Sequence, residues 1–533
     1  MYLSTHKKKV KNKTYISYSL RTSYRDAKGK VKHKHIANLP KCTDEEIKAL
    51  KLALTFRGKL EELGSIEDIS ITNKASFGGT YVLYQIAKNL GIDKVLGNSK
   101  MARLALWQII ARILGRGSRL SAKRMMPKYS ADHILDLEEV DKNMMYKNLD
   151  WLEDNQEEIE KKLWESRGGK KIDLYLYDVT SSYLEGSCNE LSAYGYNRDK
   201  KKGKEQIVVG LLTDDEGFPV AARVFEGNTS DNKTVQKQIE ILRDKFGCKN
   251  VTLVGDRGML KTTQIDELPE GFSYITGIGK PTIKRLEKEG VFQYSLFDEE
   301  VQEISHDDIR YIMRRNPLIA EESAEWRSGR IASIAKLVEE KNKYLLDKPI
   351  ASLKAAVKAV ENLVDKYKLK KIITFSNQDR EIKVSINEEE LKLASKYDGC
   401  YCLKTDLPED VISKEKVHER YKQLTHVESA FREMKGDILN IRPLYLRKAK
   451  RTKGHVVVVM LGYMILHKLN KLWSSTKETI EESLDSLTNL CILKVESNES
   501  SILKLPTPNE ECKNLLNLAK IKWPKFIIGG AIV

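Results

Sequence analysis

Three acidic residues occupy positions from which a chain of this pattern can do chemistry. Asp178 lies near the end of the apolar run 172–179 in "IDLYLYDVT". Asp256 directly follows the apolar run 251–255 in "VTLVGDRG". Glu428 lies in "YKQLTHVESAFREMKG", 421–436. Ligands of open α/β sheets gather at the carboxyl ends of strands. Convergent carboxylates without a matching set of His or Cys select hard cations, Mg²⁺ or Mn²⁺. Two such ions about 3.5–4 Å apart activate a water and stabilise the leaving oxygen of a phosphodiester. Each acid has a plainer alternative. Asp178 caps the following "TSSY" turn, Asp256 is a turn residue, and Glu428 is a solvated residue paired with Arg432 at i,i+4.

The elements that position these acids follow from periodicity. Tyr421, Glu428 and Lys435 recur every seven residues, about 10 Å apart on one helical stripe. Beside them Leu424, Val427, Phe431, Met434 and Ile438 form an apolar seam, so the helix packs against a core. The segments 172–180, "KEQIVVGLLTD", "GFPVAARVFEG", "NKTVQKQIEILRDKFG", "VTLVGD", "KTTQIDEL" and "FSYITGI" read in order as β-β-β-α-β-α-β. That order gives an antiparallel meander followed by a parallel crossover. Residues from about 281 to 415 interrupt this core with charged helices and three strands, among them "GCYCLKTDL". Cys400 and Cys402 there read as packing residues. Trp326 reads as a buried structural side chain.

From Tyr81 to about Trp164 the pattern is helical, and "TYISYSLRTSY", "DAKGK" and "VKHKHIANL" read as strand, turn and strand. Residues 43–64 look helical, and residues 474–533 are polar, then weakly helical. The start "MYLSTHKKKV" has no apolar signal core, and the run "VVVVMLGYMIL", 456–466, is too short to cross a bilayer. Scattered cysteines point to a reducing compartment.

The chain has 533 residues and a formal charge of +16. Two to four domains are expected at this length. The charge is concentrated. Residues 1–40 carry eleven Lys/Arg against one acid, and residues 417–455 carry ten against four. Binding to phosphates by counterion release needs cations on one surface, so a polyanionic partner is expected. Lys7, Lys8, Lys9, Lys32 and Lys34 are candidates for phosphate contacts in the first cluster.

The segments "YDVTSSYLEG", "GKEQIVVGLLTDDEGFPVAARVFEGNTSDNKT", "LVGDRGM" and "YKQLTHVESAFREMKG" resemble the DDE transposases of bacterial insertion sequences. The resemblance covers about 170–475 and is to the subgroup marked by a Tyr-x2-Arg-x3-Glu-x6-Lys signature. It implies a mixed α/β, multidomain chain. Its core would be ribonuclease-H-like, with a β-rich insertion before the last acid, and a basic hairpin and helical region would precede it. Asp178, Asp256 and Glu428 match the catalytic, metal-binding acids, which implies Mg²⁺ or Mn²⁺, two ions. Tyr421 and Lys435 match the signature, whereas its Arg falls on Leu424. Arg257, Arg432, Arg447, Lys448, Lys450 and Arg451 join Tyr421 and Lys435 as candidate DNA contacts.

The implied organisation is a basic DNA-binding hairpin and helix (1–70), a helical DNA-binding and assembly region (71–168) and the first part of the core (169–280). An insertion (281–415), the second part of the core with the Glu helix (416–475) and a C-terminal region suited to assembly (476–533) follow. The implied partners are terminal inverted repeats and a target duplex, met by a homodimer in the cytoplasm at the bacterial nucleoid, with no membrane. The implied reaction is metal-dependent cleavage at the repeats and joining of the 3′-hydroxyl ends to target DNA. The alternatives are a nuclease or resolvase of the same fold and a non-catalytic DNA-binding descendant.

Overall fold

The computed structural model describes residues 1–10, 13–57, 70–137, 140–186, 188–297, 301–442, 444–497, 500–528 and 531–532. The chain divides into two compact units, one of residues 1–81, 127–134 and 483–533, the other of 82–126 and 135–482.

In the first unit, the strands Tyr2–Val10, Lys13–Arg25 and Val31–Asn38 pair antiparallel in that order. The expected hairpin thus gains a third strand from the very start of the chain. Its turn is fixed by Asp26, whose Oδ1 accepts the backbone N–H groups of Lys28 and Lys30, both at 3.0 Å. Lys7, Lys8, Lys9, Lys32 and Lys34 are all exposed. A capping box between Thr43 and Glu46 starts the helix Asp44–Thr55. The part of the expected helix beyond residue 57 lies outside the described residues. Strand Ser70–Ser76 pairs with Cys491–Ser497, which continues through Ser500–Lys504 into a five-stranded sheet. Residues 483–533 therefore fold together with the N-terminal segment.

The second unit begins with helices. Ser99 and Asp141 cap α1 (Lys100–Gly115) and α2 (Lys142–Asp154) through their side chains, and α3 (Gln156–Ser166) follows. The core sheet then forms from β1 (Leu174–Tyr183), β2 (Gln206–Asp214) and β3 (Pro219–Glu226). After α4 (Asp231–Glu240) come β4 (Val251–Gly255) and β5 (Phe272–Ile278). β1 to β3 are antiparallel neighbours, β4 runs parallel to β1, and β5 runs parallel to β4. This is the mixed sheet of a ribonuclease-H-like core, in the expected element order.

The stretch 281–415 divides in two. Its β6 (Gln302–His306), β7 (Ile309–Arg315) and β8 (Cys400–Thr405) extend the core sheet to eight strands, in the order β6-β7-β8-β5-β4-β1-β2-β3. β6 and β7 have no counterpart in the sequence reading. Cys400 and Cys402 are buried in β8, as expected for packing residues. Between β7 and β8, helices Pro317–Asp347 and Leu353–Tyr367 pack with the hairpin Ile373–Gln378/Glu381–Ile386 around Ile334, Val360 and Ile382. Trp326 is 52% exposed, with the Arg330 guanidinium 5.4 Å from its ring centre, so it is not a buried structural residue.

Alternation along β1 decides what faces the site. Tyr175, Tyr177 and Val179 join Trp164, Val235 and Ile239 in one apolar layer. Leu174, Leu176 and Asp178 therefore point to the opposite face. After α5 (Lys414–Lys422), α6 (Leu424–Lys435) packs on β1 and β2. α7 (Ala449–Leu472) packs on α1, α2 and β3 and is buried along most of its length. That burial explains the apolar run 456–466, and no helix among the described residues is long and apolar enough to cross a membrane.

α7 approaches α2 closely because residue 454 lacks a side chain. A Cβ on Gly454 would lie 2.0 Å from Leu149 O. Backbone cannot yield as a flexible side chain does, so Gly454→Val should destabilise the second unit by about 1–3 kcal/mol or more. Urea unfolding followed by tryptophan fluorescence measures this, and an unchanged midpoint would contradict the packing argument.

Candidate functional site

The register between β1 and β4 builds the site. Tyr177 is level with Gly255, the last pair of the parallel ladder. The next residues are Asp178 and Asp256, so two carboxylates emerge side by side on strands that lie about 4.8 Å apart. β1 continues to Tyr183 against β2, so Asp178 sits mid-strand yet at the end of its parallel pairing. Asp178 Oδ1 accepts from Val179 N at 2.7 Å. Asp256 Oδ1 accepts from Gly258 N at 2.8 Å and Met259 N at 3.0 Å, which folds the turn around the carboxylate.

α6 brings the third acid over β1. Leu424, Val427, Phe431 and Met434 are buried as the seam predicts, Ile438 lies beyond the end of α6 and is only partly buried, and Glu428 is exposed on the flank. The Glu428–Arg432 pair is not among the ion pairs of the described residues. Tyr421 belongs to a different helix, because the chain breaks at Gln423 between α5 and α6. Its hydroxyl reaches the site over β5, where an added Cβ on Gly277 would lie 2.9 Å from it. Glycine at 277 thus leaves room for the phenol beside Asp256.

The electrostatics report the same convergence. Burial first, then the charges of Asp256 and Glu428, push the Asp178 carboxyl up to about 7, against the opposing pull of Val179 N–H and Arg198. Burial, then Asp256 and Glu428, also raises the Tyr421 phenol, with Arg257 opposing. Among the described residues no three His, Cys, Asp or Glu side chains close to metal-binding distance. The donor set still fits a hard cation in kind. It is all carboxylate oxygen, and a divalent ion would neutralise the charge that Asp256 and Glu428 add to the larger effect of burial on Asp178.

Three residues at the site escaped the sequence reading. Arg198 acts on Asp178 and donates to Asp231 Oδ1 at 2.5 Å. The Asp231 and Asp256 carboxylates both come within 3.7 Å of the Cβ position of Gly258, so Asp231 adds a fourth acid to the rim. Asp199 is the third. Its side chain is 1% exposed, its Oδ1 accepts from Lys435 Nζ at 2.8 Å and from Arg442, and its Oδ2 accepts from Tyr183 N at 3.3 Å. Lys435, expected on phosphate, is thus engaged by a buried acid. The one available signal was the pairing of opposite charges in "NRDK" between two strands.

The remaining cations separate into two groups. Lys450 pairs with Asp154, and Arg451 lies 3.3 Å from Asp150, both on α2. Arg257, Arg432, Arg447 and Lys448 are exposed and lack ion pairs among the described residues.

The family described as "Transposase DDE domain" matches residues 169–465, and "IS1634 family transposase, N-terminal domain" matches residues 3–64. No curated protein matches the sequence. A solved chain titled "piggyBac transposase synaptic complex with hairpin DNA" is 10% identical at a TM-score of 0.34, covering 72% of this chain and 69% of its own.

Two outcomes test this geometry. A carboxyl raised above its unfolded value binds its proton more tightly when folded. Ionising Asp178 therefore weakens the fold as pH climbs from about 4 to about 7. In metal-free buffer Asp178→Asn should melt above wild type at pH 8, and the gain should vanish towards pH 4. Mg²⁺ should raise the wild-type Tm and leave the variant little changed. Calorimetry reads both, and equal Mg²⁺ shifts would remove Asp178 from the cation site. Asp199→Ala should cost about 3 kcal/mol because it strands Lys435 and Arg442. A denaturation midpoint unchanged by that substitution would rule out the clamp.

Proposed function

The chain belongs to the insertion-sequence DDE transposases, and from that membership we propose that it binds the terminal inverted repeats of its own element, hydrolyses DNA there and joins the freed 3′-hydroxyl ends to a target duplex. The observation that supports this reading most directly is the β1–β4 register, which sets Asp178 beside Asp256 within electrostatic reach of Glu428.

In this reading Asp178, Asp256 and Glu428 hold Mg²⁺ or Mn²⁺, two ions. Bound there, the cations supply water activation and charge neutralisation at the phosphodiester. The chain's own groups do the rest. Tyr421 keeps its proton at neutral pH and donates to a phosphate oxygen at the cleavage point. Arg257 and Arg432 meet the backbone on either side of the acids. Arg198, through Asp231 and its field on Asp178, steadies the charge of the site. Lys435 acts through Asp199, which ties the end of α6 to the end of β1. Arg447 and Lys448 extend the phosphate track, and the basic strands of the first unit grip the repeats. Two copies act together, because two ends must be joined at once.

The reaction has two displacements. Water oxygen bonds to phosphorus at the element's end, and the strand's 3′ oxygen leaves as a hydroxyl. That 3′-hydroxyl then attacks a target phosphodiester, forms the new P–O bond and releases a target 3′-hydroxyl. Preorganised positioning and charge stabilisation account for such chemistry without a covalent protein intermediate.

A Mg²⁺-dependent cleavage assay on a plasmid carrying the gene's flanking DNA tests the reading. Wild type should nick at the element ends, and Glu428→Gln should lose about a hundredfold or more of that rate while still binding. Equal cleavage by both proteins would remove Glu428 from the catalytic set. Cleavage without joining would favour a nuclease of the same fold.

A further inference from the structure

A cavity of about 590 Å³ opens between α1, the loop after it, α2 and the start of α7. Its volume lies within the range of about 300–1,000 Å³ common to small-molecule sites. Two buried arginines line it, Arg112 at 9% and Arg119 at 7% exposure. Arg112 Nε donates to Leu439 O at 2.5 Å, Nη1 to Gly117 O at 2.9 Å, and Nη2 to Asn440 O. Arg119 Nη2 donates to His455 Nδ1 at 2.5 Å. None of these acceptors is negative. His455 stays neutral, since burial and then Arg119 and Arg112 hold it well below its ordinary range. Burial, then Arg112, draws Arg119 down to about 9.

Two guanidiniums buried without a carboxylate are costly unless something supplies the counter-charge. The acids at the margin are already engaged, Asp150 by Arg451 and Glu481 by Arg116, each at 3.3 Å. At the rim, Arg447 and Lys448 add exposed positive charge. Tyr146, with the Arg451 guanidinium 5.3 Å from its ring centre, and Tyr445, 74% exposed, add aromatic surface. Cationic donors beside aromatic faces suit an anion that carries a flat ring.

We propose that this cavity is a nucleoside-phosphate site, with the phosphate on Arg119 and the rim cations and the base against Tyr146 and Tyr445. It is coupled to the strand that carries Asp178. Leu444 bridges Leu184, just past the end of β1, and Glu185 N donates to Leu444 O at 3.1 Å. Six residues of extended chain separate Leu184 from Asp178, about 20 Å. That span equals about six nucleotide steps along one DNA strand. The same chemistry is offered by a nucleotide of bound DNA and by a free nucleotide. The DNA-borne form rests on the transposase reading, and the free form does not.

Calorimetric titration of the full-length protein with dAMP, dGMP, dCMP and dTMP tests the site, with deoxyadenosine as the uncharged control. At least one mononucleotide should bind, and deoxyadenosine should bind about tenfold or more weakly than dAMP. Both Arg119→Gln and Tyr445→Ala should weaken binding by about tenfold or more. Tyr445 is exposed at the rim, so that variant keeps its fold when Arg119→Gln does not.

A second arm uses single-stranded DNA with one abasic position moved along the strand. Displacement of the mononucleotide by DNA, with one abasic position weakening binding, identifies a base of the bound strand as occupant. Mononucleotide binding undisturbed by DNA identifies a free nucleotide. Absence of both mononucleotide binding and any abasic-sensitive position overturns the proposal, as does binding that neither substitution changes. No arm needs Mg²⁺ or cleavage, so failure of this site and failure of the catalytic reading are separate results.

Discussion

One constraint governs the second unit, which is the end of the parallel ladder between β1 and β4. Pairing stops at Tyr177 and Gly255, and the two following residues are both aspartates. A parallel ladder fixes register rigidly where both faces are buried, because a slip of one residue would turn every side chain to the wrong face. The apolar layer of Tyr175, Tyr177, Val179 and their partners on α3 and α4 provides that penalty. The side-by-side placement of Asp178 and Asp256 is thus a by-product of core packing. Glu428 depends on it in turn, since α6 docks its seam on β1 and its neighbour β2.

Charge neutralisation inside the chain determines which cations remain for a partner. Asp199 engages Lys435 and Arg442, and the acids of α2 engage Lys450 and Arg451. These pairs join the end of β1, the end of α6 and the start of α7. Glu190 adds to the join by accepting from Ala449 N at 2.8 Å, at the head of α7. Arg257, Arg432, Arg447 and Lys448 are exposed and have no ion pair among the described residues. A sum over sequence cannot separate these two groups, because the excess of positive charge in 417–455 counts both alike.

What the sequence made legible was what depends on local period. The run of strands and helices from 172 to 278, the α6 seam and the positions of Asp178, Asp256 and Glu428 follow from alternation of two and of 3.6 residues. What it hid depends on distant pairing. Strand Ser70–Ser76 finds its partner in Cys491–Ser497, more than four hundred residues away, and neither segment carries a strong pattern alone. β6 and β7 were hidden because "VQEISHDDIRYIMRR" mixes charged with apolar positions, with β6 at the edge of the sheet and β7 paired between β6 and β8. The break at Gln423 was hidden because Gln423 keeps a right-handed helical backbone between two helical segments.

The raised Asp178 carboxyl links fold to function. A fold that presses three carboxylates towards one point works against itself until positive charge arrives. Arg198 offsets part of that repulsion from within the chain, and its own charge is divided with Asp231. The remainder is charge that a divalent cation would neutralise. Glu428 is exposed and has no ion pair among the described residues, so no neighbouring cation competes for its carboxylate there. The rigid ladder under Asp178 and Asp256 keeps that tension from relaxing through the backbone.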